Sequence, residues 1–218
     1  MENDKQLKPF VLAITGASGS VYGLRMLQYL AEIEQPVDLM VSRGARTVMR
    51  EEMGLDFSEE RLKEDILQYL SLPQTAPVKL HKTVENYGAS VASGSYRTMG
   101  MAVMPCSLGT LGACAAGLTE NLIHRAAAVT LKEKRPLVLV VREMPFGQIQ
   151  LKHMLTLSEA GATVACASPG FYHKPQSVSD LIDFVVGRVL DQFGFDHSLF
   201  KRWKEEAKPI RISSSSEV

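Results

Sequence analysis

FVLAITGASGSVYGLRMLQYL, residues Phe10 to Leu30, is the stretch whose reading decides the fold. Phe10 to Thr15 is an apolar run of strand length and Gly16-Ala17-Ser18-Gly19 a tight turn. Leu24, Leu27, Leu30 and Ile33 then recur at helical spacing. Working outward, VDLMV (Val37 to Val41) reads as a second strand, followed by a helix from about Arg43 to Met53 and another through Leu62, Ile66, Leu67 and Leu70. Val78 to Leu80 reads as a short strand, and the Gly/Ala/Ser-rich Asn86 to Ser95 as a long loop. Met101 to Met104 is a strand stopped by Pro105, and SLGTLGACAAG, from Ser107, a small-residue helix. Strand Leu137 to Val141, helix Ile149 to Ala160, strand Thr163 to Ala167, loop Ser168 to Pro175 and helix Val178 to Phe193 complete the alternation. Strands alternating with helices predict one doubly wound parallel sheet covered on both faces, a flavodoxin-like or Rossmann-like three-layer α/β sandwich.

The expected organisation is a flexible N-terminus over residues 1–9, one α/β domain over 10–203, and a tail over 204–218. The tail's Ser213 to Ser216 run cannot order itself by burial. The chain has 218 residues, 45% of them hydrophobic, enough for a full core. Lys plus Arg equals Asp plus Glu at 24 each, so no long-range field draws a nucleic acid or an anionic membrane. No apolar run approaches the roughly 18 residues needed to cross a bilayer. Cys106, Cys114 and Cys166 sit apart, without metal-ligand spacing or an even count for disulfides, and a cytoplasmic location is the expectation.

In an open parallel sheet, ligands collect at the carboxyl ends of the strands. Polar residues cluster at five such ends: Gly16 to Gly19, Ser42 and Arg43, Cys106 to Thr110, Arg142 and Glu143, and Ser168 to Lys174. The glycine turn places backbone N–H groups at a helix start, where partial positive charge favours a phosphate, and Ser18 adds a hydroxyl. A nicotinamide dinucleotide usually needs an acid at the end of the second strand, where this chain has Ser42-Arg43; Asp38 lies too early. Arg43 could instead hold a ribose phosphate, which leaves NADP open at this point. Ser107 and Thr110 open a second helix after a central strand, and two helix starts suit a mononucleotide. Cys106, in the same turn, is read as a small buried residue rather than a nucleophile, because no histidine lies in a pattern that would activate it.

Five co-linear motifs carry a family resemblance: TGASGSVYGLR (Thr15 to Arg25), ASGSY (Ala92 to Tyr96), PCSLGTLG (Pro105 to Gly112), LKEKRPLVLVVREMPF (Leu131 to Phe146) and PGFYHKPQS (Pro169 to Ser177). The chain resembles the flavin prenyltransferases of the UbiX type from about residue 10 to Trp203. The resemblance implies a homo-oligomer, commonly a dodecamer, that joins dimethylallyl phosphate to reduced FMN. Its prenylated FMN product serves a UbiD-type decarboxylase. It places Gly16, Ala17, Ser18, Ser42, Ser107, Leu108, Gly109, Thr110 and Arg142 on FMN. On the prenyl phosphate it places Ser93, Gly94, Lys132, Arg142, Glu143, Tyr172 and Arg188, with Arg125 nearby. Because oligomer contacts build the family's site, the resemblance implies that some of these act across a subunit boundary.

The residue types fit that chemistry. Lys132, Arg142 and Arg188 would hold the phosphate and stabilise its departing charge, helped by Tyr172 and the Ser93 and Ser95 hydroxyls; for FMN alone the set is oversized. The flavin N5 would be the nucleophile, and Glu143 is the candidate acid and base for closing a fourth ring onto C6. Trp203, the only tryptophan, would face a developing allyl cation or anchor the C-terminal segment. Plain readings stand beside these: Arg142-Glu143 as a surface pair, Tyr172-His173 as an aromatic turn, Arg188 as a helix-edge residue. His81, His124, His153, His173 and His197 are scattered without ligand spacing, and no metal is predicted. The rival readings are an FMN-dependent decarboxylase of the cysteine decarboxylase group, whose Pro-Ala-Met-Asn type motif is not found, and a non-catalytic flavin carrier.

Overall fold

The computed structural model describes residues 7–83 and 88–203. Residues 1–6 and 204–218, and with them most of the expected N-terminal arm and the whole tail, lie outside the described residues, as do 84–87 within the expected long loop. The chain forms two compact units, Met1–Ala167 and Ser168–Val218, dividing the stretch read from sequence as one domain.

The first unit holds a six-stranded parallel sheet. β1 (Phe10–Ile14) leads through the glycine turn to α1 (Ser20–Glu32), and β2 (Val37–Val41) to α2 (Arg43–Met53) and α3 (Leu62–Tyr69). β3 (Val78–His81) is followed by a 3-10 turn at Ser90–Ala92 and β4 (Gly100–Cys106). Then come α4 (Leu108–Ala115), α5 (Leu122–Lys132), β5 (Leu137–Val141), α6 (Gln148–Glu159) and β6 (Thr163–Cys166). The order is β3-β2-β1-β4-β5-β6, all parallel, so the winding reverses between β1 and β4. β1, β2, β4 and β5 are buried along their whole length, which is why FVLAI and LVLVV read as continuous apolar runs rather than alternating ones.

Two local readings are corrected. β4 does not stop at Met104 but runs through Pro105 to Cys106; its register against β5 shifts between Val103 and Cys106, so the missing N–H of Pro105 falls where the ladder is already irregular. The long loop carries the 3-10 turn, tied by the Ala92 N–H to Ala89. α5 was not anticipated. Its start signal is Asn121, whose side chain accepts the His124 N–H at 3.0 Å.

In the second unit, α7 (Val178–Asp191) starts on a reciprocal cap. Ser177 Oγ accepts the Asp180 N–H, and the Asp180 carboxylate accepts the N–H groups of Gln176 and Ser177 at 2.7 and 3.0 Å. These bonds hold the Asp180 carboxyl below the usual range, the Gln176 N–H foremost. His173 stacks on Phe184 at 4.8 Å, and Phe200 packs on Phe184 at 4.9 Å. Among the described residues, no helix is long and apolar enough to cross a membrane.

Candidate functional site

Sequence dictates the carboxyl edge of the sheet at the β1/β4 reversal. Thr15, 1% exposed, ties the two strand ends together: its hydroxyl donates to the Pro105 carbonyl and accepts the Ser107 N–H, both at 2.8 Å. The glycine turn and the start of α4 are thereby fixed against each other. Gly16 approaches Gly44 at the head of α2 so closely that a Cβ on Gly16 would meet the Gly44 Cα at 3.0 Å. The turn therefore needs glycine for backbone packing as well as for any phosphate. Gly19, at φ 94°, closes it.

Three loops present hydroxyls here. Ser42 Oγ accepts the Ala45 N–H at 3.0 Å, and Ser107 Oγ accepts the Thr110 N–H at 3.3 Å while donating to Thr110 Oγ1 at 3.0 Å. Both serines cap helices, α2 and α4, yet the hydroxyl hydrogens of Ser42 and Thr110 have no acceptor among the described residues. Arg142, past the end of β5, reaches back to the glycine turn, where its Nε donates a long bond of 3.4 Å to the Ser18 carbonyl. Burial pushes the Tyr22 phenol up, against the pull of this guanidinium. Gly16, Ala17, Ser18, Ser42, Ser107, Leu108, Gly109, Thr110 and Arg142 thus share one edge, the donor set a phosphate monoester needs.

One residue of this edge escaped the sequence reading. Glu52, on the last turn of α2, accepts the Gly19 N–H at 2.9 Å. A carboxylate already sits on one donor of the turn, which pushes a phosphate toward Ser42 and the α4 start. The α2 periodicity gave no sign that Glu52 would turn toward the glycines. Glu143 is half-buried and accepts the N–H of Met144 at 3.0 Å. Cys106 is fully buried, and burial drives its thiol far above the ordinary range, as the buried reading requires. Asp38, set aside as a ribose ligand, is 1% exposed and held by His81 Nε2 at 2.6 Å and the Tyr96 hydroxyl at 2.9 Å. Among the described residues no group of three metal-ligating side chains exists.

The second set lies elsewhere. Lys132 ends α5, immediately before β5 begins, and the Arg135 guanidinium donates to the carbonyls of Gly94 and Tyr96 at 2.6 and 2.7 Å. Arg125 donates to the Ala92 carbonyl at 3.1 Å, and the Ser93 and Ser95 hydroxyls bond each other at 2.9 Å. Ser93, Gly94, Ser95 and Lys132 therefore sit at the amino edge, separated from Arg142 and Glu143 by the length of β4, roughly 20 Å for seven residues. The reason is topological, because a crossover helix returns the chain to the amino end of the next strand. One chain does not bring together the two sets of residues that the resemblance places on phosphate. Lys132 also carries a partner that sequence reading overlooked, Glu133 at 2.9 Å, whose carboxyl is held low by that ammonium.

Tyr172, Arg188 and Trp203 belong to the second unit. Tyr172 meets the Trp203 ring edge-on at 5.2 Å, and Trp203 is 69% exposed. Arg188, half exposed on α7, pairs with Asp191 of the same helix at 2.7 Å.

A family model described as "Flavoprotein" matches residues 1–190. A curated relative, "Flavin prenyltransferase UbiX" of Aquifex aeolicus, is 45% identical over 202 residues, 91% of this chain and 100% of that one. Among solved structures, AnUbiX (PadA1) in complex with FMN and dimethylallyl pyrophosphate matches with a TM-score of 0.80 at 36% identity, covering 92% of this chain and 100% of that one. A dodecameric FMN-dependent UbiX-like decarboxylase from Escherichia coli O157:H7 matches at 0.78 and 38% identity, covering 90% and 100%.

Proposed function

The chain belongs to the flavoprotein family and, within it, to the UbiX-type flavin prenyltransferases, and on that premise we propose that it transfers a dimethylallyl group from dimethylallyl phosphate to N5 and C6 of reduced FMN. The observation that carries the reading is the donor set of the carboxyl edge, where Arg142 reaches the glycine turn beside the hydroxyls of Ser42 and Thr110, whose hydrogens have no acceptor among the described residues. FMN, as substrate, supplies the nucleophilic N5. The phosphate of FMN falls to Ser42 and the α4 start at Ser107 to Thr110, with Ala17 and Ser18 of the turn beside it.

Allyl transfer breaks a carbon–oxygen bond, and the charge left on phosphate has to be stabilised as it forms. Arg142 and Lys132 are assigned that task, together with the Ser93 and Ser95 hydroxyls; Tyr172 and Arg188 carry the same assignment by resemblance. Because Lys132 lies at the far edge of its own sheet, a neighbouring copy supplies it. The dodecameric relative supports this arrangement, as do the exposed apolar side chains Met144, Ile149, Leu151 and Leu155, all at least 52% exposed. Closing the fourth ring adds a proton to the alkene and removes one from the flavin ring, a task for a carboxylate. Glu143 and Glu52 both stand at this edge.

The product is a cofactor for a UbiD-type decarboxylase, and the three free cysteines fit a cytoplasmic enzyme. The relative bound to dimethylallyl pyrophosphate raises the choice of donor, and the monophosphate is the proposal here. The test is anaerobic incubation with reduced FMN and either donor. A flavin heavier by one dimethylallyl unit, formed faster from the monophosphate, is expected; unmodified flavin with both donors would overturn the function.

A further inference from the structure

At the end of α7 a single carboxylate gathers three basic side chains. Arg188 Nη1 donates to Asp191 Oδ2 at 2.7 Å, Arg202 Nη2 donates to Oδ1 at 3.0 Å, and His197 Nε2 lies 3.1 Å from the same Oδ1. The His197 side chain is wholly buried and that of Asp191 is 15% exposed, while those of Arg188 and Arg202 are 51% and 49% exposed, so the carboxylate is sheltered and the two guanidiniums reach solvent. The Leu199 N–H donates to His197 Nδ1 at 3.4 Å, so the ring is held from both of its nitrogens. Two guanidiniums thus converge on one carboxylate, Arg188 with its positive charge half exposed to solvent.

That charge is presented in a specific way. A guanidinium carries five donors in a planar fork, and Arg188 uses one nitrogen on Asp191. Its Nε and Nη2 have no partner among the described residues, so the fork is fixed at one corner and open along the rest. Arg202 is joined to Trp203, whose ring stands edge-on to Tyr172. The chain crosses α7 at Gly187, where a Cβ would come within 2.5 Å of His197 Cε1 and 2.6 Å of Phe200 Cε1. The segment from His197 to Trp203 is thus seated on α7 at one end by a glycine and at the other by Asp191.

We propose that Asp191 is a positioning residue for the prenyl donor: its carboxylate fixes the Arg188 fork and, through Arg202, holds Trp203 against Tyr172, so that the donor's phosphate meets both in one preset arrangement. The inference rests on the reading of Arg188 as a phosphate ligand. Without Asp191, Arg188 and Arg202 lose the carboxylate they share, and the residue next to Trp203 loses two of its bonds to α7.

The experiment compares the wild type with Asp191→Asn and Asp191→Glu in the full-length protein. Dimethylallyl phosphate is titrated against the FMN-loaded protein, and the anisotropy of Trp203, the only tryptophan, is read in the same samples. Asp191→Asn is expected to weaken donor binding about tenfold, the scale of one charge-assisted contact. It should also lower the Trp203 anisotropy while leaving FMN affinity within about twofold; Asp191→Glu should restore much of both. Wild-type donor affinity and anisotropy in Asp191→Asn would overturn the proposal. Parallel losses of donor and FMN binding would overturn it as well, because they signal general damage rather than positioning. Formation of prenylated flavin by the wild type is a separate readout. Its absence counts against the proposed function, whereas the positioning role stands or falls on Asp191→Asn binding and anisotropy.

Discussion

The Thr15 hydroxyl accepts the Ser107 N–H at 2.8 Å and at the same time donates to the Pro105 carbonyl, so a single buried side chain joins the end of β1 to the start of α4. Those two chain segments are the ones that offer donors to a phosphate. Their separation is set by Thr15, not by the loops themselves.

Thr15→Val keeps the shape and removes the hydroxyl. The Ser107 N–H then loses its acceptor, a loss of roughly 1–3 kcal/mol where water does not replace it, while the Pro105 carbonyl keeps the bond from the residue-15 N–H at 3.2 Å. Urea unfolding should show the destabilisation, and FMN affinity should fall with it as the α4 start drifts from the glycine turn. Thr15→Ser should recover both. An FMN affinity unchanged in a destabilised Thr15→Val would show that the α4 start plays no part in holding the flavin.

The strands, their order of appearance and most helix bounds were legible because buried parallel strands are written as apolar runs, and helices as i, i+3, i+4 patterns. β2 and α2, for instance, match their expected bounds residue for residue. What sequence concealed was contact across the fold. Glu52 is an ordinary exposed-face residue by periodicity, and only the folding of α2 beside the glycine turn brings it to the Gly19 N–H. Asp38 looked like a charge in the wrong place, until His81 from β3 and Tyr96 from the loop paired with it. Lys132 was grouped with Arg142 by motif, yet the two flank β5, one before it and one after, so the strand itself holds them at opposite edges of the sheet.

Two carboxylates compete for the proton-transfer role, and paired substitutions separate them. Glu143→Gln and Glu52→Gln each remove the acid and base without removing bulk. The residue responsible should permit attachment at N5 but slow closure of the fourth ring by about 10²–10⁴-fold, the usual worth of general acid–base catalysis. Glu52→Gln should also alter the glycine turn, because its carboxylate bonds the Gly19 N–H, so its FMN affinity is expected to shift while that of Glu143→Gln stays put. The singly attached and cyclised flavins are isomers of equal mass, so quenched reactions are separated by chromatography and the two are told apart by their absorption spectra. Full-speed closure in both variants would move the role to phosphate or water.

The three cysteines should react in an order set by burial. Cys166 is exposed, Cys106 is fully buried with a strongly raised thiol, and burial pushes Cys114 up to about 11. The thiolate is the nucleophile, so at pH 8 the Cys114 thiolate is populated at roughly a thousandth of the total. Iodoacetamide at pH 8 should therefore label Cys166 alone in the native protein and all three in urea. Because Cys106 offers no reactive thiolate, Cys106→Ala should keep prenyl transfer. A large loss of rate without loss of stability would restore a chemical role to that sulfur.

Acid should undo the Asp191 network in a defined direction. Partial desolvation raises the Asp191 carboxyl, but the Arg202 hydrogen bond and charge, and then the charges of His197 and Arg188, outweigh it and hold the group below its ordinary value. A carboxyl whose folded value is depressed binds its proton more readily in the unfolded chain, where it titrates near about 3.9. Its contribution to stability is therefore complete above that pH and drains away as the pH falls through the lower folded value. The difference in unfolding free energy between the wild type and Asp191→Asn isolates this one carboxylate from every other acid group that protonates in the same range. That difference should be full and constant from about pH 6 to pH 5, and should shrink only below about 3.9, with Trp203 emission changing over the same interval. A difference that instead grew as the pH fell would mean that Asp191 titrates above its unfolded value, with desolvation prevailing over its three partners.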